Sequence, residues 1–441
     1  MQSVVISFSR ITLLAFVLTF TFIDLIQLFE SKLNEVVASI LSTIQAVMVV
    51  LFLVNTSIIL YLVKEDSLIL VLLVLQLLLF MTINLLMNRL AEPTSRALFN
   101  NLMFFLSLSF VFLERLSFNT GVKQFVFTIA SVLIAFLLII LLRNVRKIER
   151  YMFIFAAVGI LLLVIVCFAG SVENGAKLSV AIAGIKFQPS EFVKLLYLFF
   201  ISGCIVTYRD FRGFLFASIG AAIHVLVLVF SRDLGTALIF LVTYLLLIFI
   251  AYKNYIVLGT ELIVATVCGI IAYNKFPHIQ SRFIAWTDPL SVVDDKGYQI
   301  SQSLFAIGTG GWLGSGFTNG MPNKIPVVTN DFIFAAISEE LGAIVSICII
   351  ICFMCFSIMI FNIAFNCPDS FYMLVVNGLA IIFSVQTILN IGGVIKFIPS
   401  TGVTLPYISA GGSSLVSMFI SFFIAECANE LYYVGKVRKY D

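Results

Sequence analysis

Gln280-Ser281-Arg282-Phe283-Ile284-Ala285-Trp286-Thr287-Asp288-Pro289-Leu290-Ser291-Val292-Val293-Asp294-Asp295-Lys296-Gly297-Tyr298-Gln299 opens the longest stretch of this chain that is not simply hydrophobic. It turns glycine-rich between Gly308 and Gly320 and passes Pro322 and Pro326. It re-enters apolar sequence at Asn330-Asp331-Phe332-Ile333-Phe334, with Glu339-Glu340-Leu341-Gly342 close behind. On both sides of it the chain reads as membrane. Of the 441 residues 61% are hydrophobic and 11% charged, with a mean hydropathy of +1.13. That composition excludes a soluble globular protein. The apolar runs are unbroken over about 20 residues and do not alternate, which excludes a closed barrel. The fold class is an all-α polytopic membrane protein.

Apolar runs lie near residues 8–29, 37–63, 69–88, 99–113, 124–142, 152–171, 191–207, 213–230, 234–251, 256–273, 331–361, 371–391 and 405–428. They predict 12 or 13 spans. Arg143, Arg146, Lys147 and Arg150 form the densest basic loop, which the positive-inside rule places in the cytoplasm. Alternation then puts Arg89/Arg96, Arg209/Arg212, Lys253 and the tail Lys436/Arg438/Lys439 on the same side, each independently basic. Residues 172–190, 274–330 and 392–404 fall outside. The first apolar run lacks a cleavage-site pattern and is expected to be retained. Residues 1–95 read as an accessory bundle of two or three spans, with Asp24 a structural or interfacial acid. Residues 96–441 form the core, with the large outer loop at 274–330.

Eight cysteines show no paired framework, and Cys352-x-x-Cys355 lacks a second pair or a neighbouring histidine. Two histidines, His224 and His278, make histidine-based metal sites and triads poor readings. A net charge of +3 says little about partners.

Chemistry-bearing motifs fall on the outer side. Gln188-Pro189-Ser190-Glu191 with Lys194 starts a span, Pro189 standing where a helix can begin. Glu191 and Lys194 share a helix face; alone they read equally well as an interfacial ion pair. Ser231-Arg232-Asp233-Leu234-Gly235-Thr236 opens another span, where Asp233 is a helix cap or an acid of the outer vestibule. Asp331, Glu339 and Glu340 are costly in a membrane segment unless paired or hydrated, with Lys194, Arg282 or Lys396 as expected partners. Asn390-Ile391-Gly392-Gly393, then Pro399-Ser400-Thr401-Gly402-Val403-Thr404-Leu405-Pro406, leads into Ser409-Ala410-Gly411-Gly412-Ser413-Ser414. Broken backbone at that depth belongs inside protein or against a hydrated cavity, though the small residues also suit tight packing.

These motifs, together with Gly297-Tyr298-Gln299 and Gln302-Ser303, resemble the SEDS family (shape, elongation, division and sporulation), whose members include the RodA, FtsW and SpoVE types. The resemblance covers roughly residues 96–430 and implies a ten-span core. It implies a lipid II polymerase building peptidoglycan glycan strands at the outer face of a bacterial cytoplasmic membrane. The implied partner is a class B penicillin-binding protein, with other divisome, elongasome or sporulation proteins; no nucleic acid and no organic cofactor are implied. An acceptor sugar hydroxyl attacks the anomeric carbon of a donor leaving as lipid pyrophosphate. That reaction needs a carboxylate base and cations, or a divalent ion such as Mg or Mn, at the departing pyrophosphate. Arg282, Lys194 and Lys396 are the candidate cations. Glu191, Asp233, Gln299, Gln302, Ser303, Asp331, Glu339, Glu340, Thr401 and Ser413 are the other candidate substrate contacts.

Two positions depart from the family pattern. Counted without gaps from Asp288-Pro289 to Gly297-Tyr298-Gln299, the family's catalytic aspartate falls on Val292. Asp294, Asp295 and Asp288 stand near, in that order of preference as the base. Ala410 occupies a place where the family commonly has an aromatic. Two other readings stay open: a SEDS-fold scaffold without polymerase activity, for which Val292 speaks, and a lipid-linked precursor flippase. A transporter tends to place charges near the midplane and to show inverted repeats, and neither pattern is visible here.

Overall fold

The computed structural model describes residues 2–29, 34–90, 95–143, 145, 147–173, 176–182 and 185–437. Arg146, Gly175, Arg438 and Lys439 lie outside the described residues. Fifteen α-helices follow in chain order among those described. The first three are α1 (Gln2–Gln27), α2 (Glu35–Lys64) and α3 (Leu68–Leu90). Next come α4 (Arg96–Leu116), α5 (Phe118–Arg143), α6 (Met152–Ala169), α7 (Pro189–Thr207), α8 (Phe211–Phe230), α9 (Leu234–Tyr252) and α10 (Tyr255–Lys275). The short α11 (Pro277–Thr287) and α12 (Tyr298–Gly310) precede α13 (Ile333–Asn366), α14 (Ser370–Val394) and α15 (Gly412–Val437). All but α11 and α12 are long and apolar enough to cross a membrane, which gives thirteen spans.

Side-chain caps fix many helix starts. Ser95, Asp210, Asp233, Asn254 and Asp369 each accept a backbone N–H of the helix they precede. The α4 helix is the axis of the bundle: nearly every side chain from Ala97 to Glu114 is buried. The α7, α13 and α14 helices are buried along most of their length. None of the α10 residues is buried; its polar tie to the bundle is Glu261, which accepts from the Tyr244 hydroxyl of α9.

The N-terminal spans pack directly on the core, α1 against α13 and α2 against α4. Asp24 sits at that junction, fully buried. It accepts from Gln45 Nε2 of α2 at 3.1 Å and from the Asn101 amide of α4. Asn100 donates to the Ser42 carbonyl at 2.8 Å. Asp24 is thus a structural acid, held through one carboxylate oxygen by amide donors of two neighbouring spans.

Residues 171–187, expected as plain outer loop, form a three-stranded antiparallel sheet in the order β1 (Ser171–Glu173), β2 (Ala176–Ile182), β3 (Ile185–Phe187). Strand β3 pairs Phe187 with Val180 and hands the chain to Pro189 at the start of α7. The outer loop is also more ordered than its polarity implies, since it holds α11 and α12. Beyond them, α13 runs through a break at Gly342 (φ 88°, ψ 171°).

Candidate functional site

The outer motifs meet at one end of the bundle. Two helix N-termini form its floor. At α7, Lys194 Nζ donates to Glu191 Oε1 at 2.8 Å and to Gln386 Oε1 of α14 at 2.9 Å, all three residues being buried. Gln386 Nε2 in turn donates to the Thr404 carbonyl at 3.1 Å, binding this group to the loop before α15. At α9, Asp233 Oδ1 accepts the Thr236 N–H at 3.1 Å; Ser190 Oγ of α7 lies 3.5 Å from its other oxygen. Gly235 lets that loop come close: a Cβ here would collide with the Val403 side chain and stand 3.0 Å from the Thr401 carbonyl oxygen.

The α11 helix lies across this floor. Arg282 Nη1 donates to the Ser400 carbonyl at 2.8 Å, and Trp286 Nε1 to the Lys396 carbonyl at 3.2 Å. Asp233 and Asp331 lie near enough to act on the Arg282 guanidinium by charge, with no direct ion pair to it among the described residues. A Cβ on Gly402 would touch Asp331 Oδ2 and Arg282 Nη2, at 3.7 and 3.9 Å. Burial pushes Asp331 up to about 6 against the pull of Arg282. Burial also raises Asp233, opposed first by the Thr236 N–H and more weakly by Lys194. His278, one turn before Arg282, is held low by burial and by the Arg232 and Arg282 charges. The result is a partly desolvated vestibule in which cationic and acidic groups lie side by side.

Several buried polar atoms here have no protein partner: Glu191 Oε2, His278 Nε2, Asn390 Oδ1 and Thr401 Oγ1. An unsatisfied buried polar group costs about 1–3 kcal/mol, so such atoms belong where water or a polar ligand meets them. Asn390 meanwhile holds the vestibule walls together, donating to the Asp331 carbonyl at 2.9 Å and the Val403 carbonyl at 2.7 Å.

The remaining expected residues divide. Ser413 Oγ accepts the Gln188 N–H at 3.0 Å, so it fastens α15 to the α7 start. Ser303 is buried and donates to the Val394 carbonyl at 2.9 Å, while Gln299 is exposed and Gln302 half-buried along α12. Lys396 has a left-handed backbone (φ 60°) and is half-buried. Asp288, Asp294 and Asp295 are exposed on the turn between α11 and α12. Asp288 caps that turn through the Ser291 N–H at 3.3 Å. Val292 is half-buried, and its carbonyl accepts the N–H groups of Asp295 and Gly297. Ala410 is half-buried and donates its N–H to Thr329 at 2.8 Å.

Glu339 and Glu340 correct an expectation. Their partner is not Lys194, Arg282 or Lys396. Arg115, at the end of α4, lies 3.1 Å from Glu340, while Glu339 Oε1 accepts the Met321 N–H at 2.9 Å. The break at Gly342 lets the glycine-rich segment pack closely against this part of α13. Sequence reading also missed Gln386 and Arg115. Gln386 carried a signal, being a polar residue deep in an apolar run; its pairing with Lys194, 192 residues away, carried none.

A family model described as "Cell cycle protein", for the FtsW, RodA and SpoVE proteins, matches residues 90–431. This chain belongs to the SEDS family. The peptidoglycan glycosyltransferase RodA of Mycobacterium tuberculosis is 34% identical to this SEDS chain over 323 residues, 68% of each protein. Stage V sporulation protein E of Bacillus subtilis is 33% identical over 276 residues, covering 59% of this chain and 74% of that one. Among solved structures, one described as structural coordination of polymerization and crosslinking by a peptidoglycan synthase complex aligns with TM-score 0.64 and 22% identity. It covers 77% of this SEDS chain and 99% of that chain. Thermus thermophilus RodA aligns with TM-score 0.59 and 23% identity, covering 77% and 98%. The SEDS fold therefore accounts for the core, and the spans α1, α2 and all but the last residue of α3 precede the matched region.

Proposed function

We propose that this SEDS protein is a peptidoglycan glycosyltransferase that polymerises lipid II at the outer face of the cytoplasmic membrane. Its partner would be a class B penicillin-binding protein that crosslinks the strands. The observation that carries the reading is the vestibule, where Arg282, Lys194, Asp233 and Asp331 meet beside buried polar atoms that lack protein partners. Lipid pyrophosphate leaves with negative charge on oxygen. Arg282 supplies a planar fork of donors for such a group, and Lys194 a compact charge behind it. The Ser400 carbonyl holds the guanidinium in place, and the charges of Asp233 and Asp331 act on it through space.

A divalent ion serving the pyrophosphate would draw most of its ligands from the substrate and water. Among the described residues no three His, Cys, Asp or Glu side chains converge, and such ions bind through one or two carboxylates plus phosphate oxygens. Asp233 or Asp331 would be the carboxylate that contributes to it.

The acceptor hydroxyl needs a base, and Asp294 and Asp295, exposed on the turn between α11 and α12, are the carboxylates we assign to that role. Asp288 is occupied as a turn cap. A general base contributes about two to four orders of magnitude in rate. Polymerisation of lipid II by the purified complex is therefore expected to vanish in Asp294→Ala/Asp295→Ala, with Asp294→Ala the more damaging single change. Normal glycan from the double variant overturns this assignment. Val292 supports a second reading, a scaffold that supports the transpeptidase without polymerising. Under that reading the wild-type complex is inert and Val292→Asp gains activity.

A further inference from the structure

Glu339 and Glu340 organise a second assembly of hydrogen bonds. The segment from Trp312 to Met321 is stitched to them. The Ser315 and Gly316 N–H groups donate to the Glu339 and Glu340 carbonyls at 2.9 and 3.0 Å. Thr318 N–H donates to Glu340 Oε2 at 3.2 Å, and Met321 N–H to Glu339 Oε1 at 2.9 Å. Arg115 closes the assembly from above. Its Nε donates to Glu340 Oε1 at 3.2 Å, and its Nη2 to the Thr318 and Gly320 carbonyls at 3.0 and 3.2 Å.

Arg115 is the last turn of α4, and that turn is held from outside the family match. Lys64, ending α2, donates to the Glu114 carbonyl at 2.7 Å and the Arg115 carbonyl at 3.2 Å. Gln76 of α3 donates to the buried Glu114 carboxylate. A chain of hydrogen bonds thus runs from the accessory spans, through Glu114 and Arg115, to the glycine-rich segment. That segment follows α12, whose Ser303 is tied to Val394 two residues before Lys396. A C-terminal helix turn with free carbonyls suits a lysine, and a carboxylate flanked by backbone carbonyls suits the fork of an arginine.

We propose that the accessory spans serve the site: Lys64 and Gln76 fix the α4 terminus so that Arg115 clamps the 312–321 segment onto Glu339-Glu340. Arg115 is then a positioning residue for the polymerase, and touches no substrate. The rate arm of its test rests on the polymerase reading, while the exchange arm does not.

The test uses the full chain in detergent, with hydrogen exchange read on residues 312–321 and glycan synthesis assayed with the transpeptidase partner present. Arg115→Met is expected to speed exchange of the Ser315, Gly316, Thr318 and Met321 amides by about tenfold or more, leaving α5 to α9 unchanged. Arg115→Lys restores part of the protection. Lys64→Met and Gln76→Leu move exchange in the same direction by less, and they decide the matter if Arg115→Met fails to fold. Misplacement of the segment is expected to lower kcat by about a hundredfold, with KM for lipid II little changed and Arg115→Lys recovering part of the rate. Unchanged exchange in Arg115→Met, or in both accessory-span variants, overturns the proposal. Faster exchange with unaltered kcat overturns the positioning role. An inert wild type overturns the polymerase reading instead, and leaves exchange alone to decide the clamp.

Discussion

Lys194 shows what a charge needs in order to live inside this protein. Its ammonium is spent on Glu191 and Gln386, and almost none of the residue is exposed. The Glu191–Lys194 pair was legible in the sequence from its spacing of three on a helix. The Gln386 acceptor was not, because nothing in one sequence marks which distant span supplies a partner. A methionine keeps the apolar stem of Lys194 but strands the Glu191 carboxylate, whose second oxygen already lacks a partner. Breaking a buried pair from one side costs roughly 3–5 kcal/mol, whereas removing both charges is often close to neutral. Lys194→Met is therefore expected to lower the melting temperature of the detergent-solubilised protein. Glu191→Gln/Lys194→Met should recover most of that loss while glycan synthesis stays absent. Equal melting of the single variant and wild type would show that the pair carries no such strain.

The spans were readable as elements because their apolar runs are long, and the start of α9 because the cap Asp233 precedes it. The two helices of the outer loop were hidden: α11 and α12 have 11 and 13 residues and no long apolar run. They are held by tertiary contacts such as Ser301 to the Pro289 carbonyl at 3.1 Å. The break in α13 was hidden too, since Glu-Glu-Leu-Gly reads as continuous helix until its dihedrals are known. Gly342 occupies a region of backbone space that is essentially reserved for glycine, and a Cβ there would strike the Gly314 nitrogen and the Trp312 carbonyl oxygen. Gly342→Ala is expected to carry about 1–3 kcal/mol of backbone strain before any collision is counted. Gly308→Ala on α12 meets open space and should be neutral or stabilising by up to about 1 kcal/mol. Thermal melts of both variants make the comparison. A Gly342→Ala protein as stable as Gly308→Ala would mean that the kink is not fixed as described.

At the scale of the whole molecule, the apolar runs predicted 12 or 13 spans, and thirteen candidate spans are present among the described residues, yet the runs did not say which spans touch. The accessory spans illustrate the gap. Asp24 announced itself as unusual, but its role in joining α1, α2 and α4 depends on Gln45 and Asn101, which look ordinary in their runs. The basic turns and the polar motifs sort to opposite ends of the bundle. Lys147, Arg150, Arg209, Arg212 and Lys253 lie in the turns at one end, where basic residues are retained in the cytoplasm. The sheet, Arg232, the α11–α12 region and the loop before α15 lie at the other, joined by Arg282 to Ser400 and by Gln188 to Ser413. An enzyme that spends lipid-linked sugar on a wall outside the cell needs its vestibule at that second end. Single cysteines at positions 294 and 147, in a background without the eight native thiols, test this with a membrane-impermeant maleimide on intact cells. Label is expected at 294 and only after lysis at 147. Label at 147 but not 294 would invert the topology, place the vestibule in the cytoplasm and remove the polymerase reading with it.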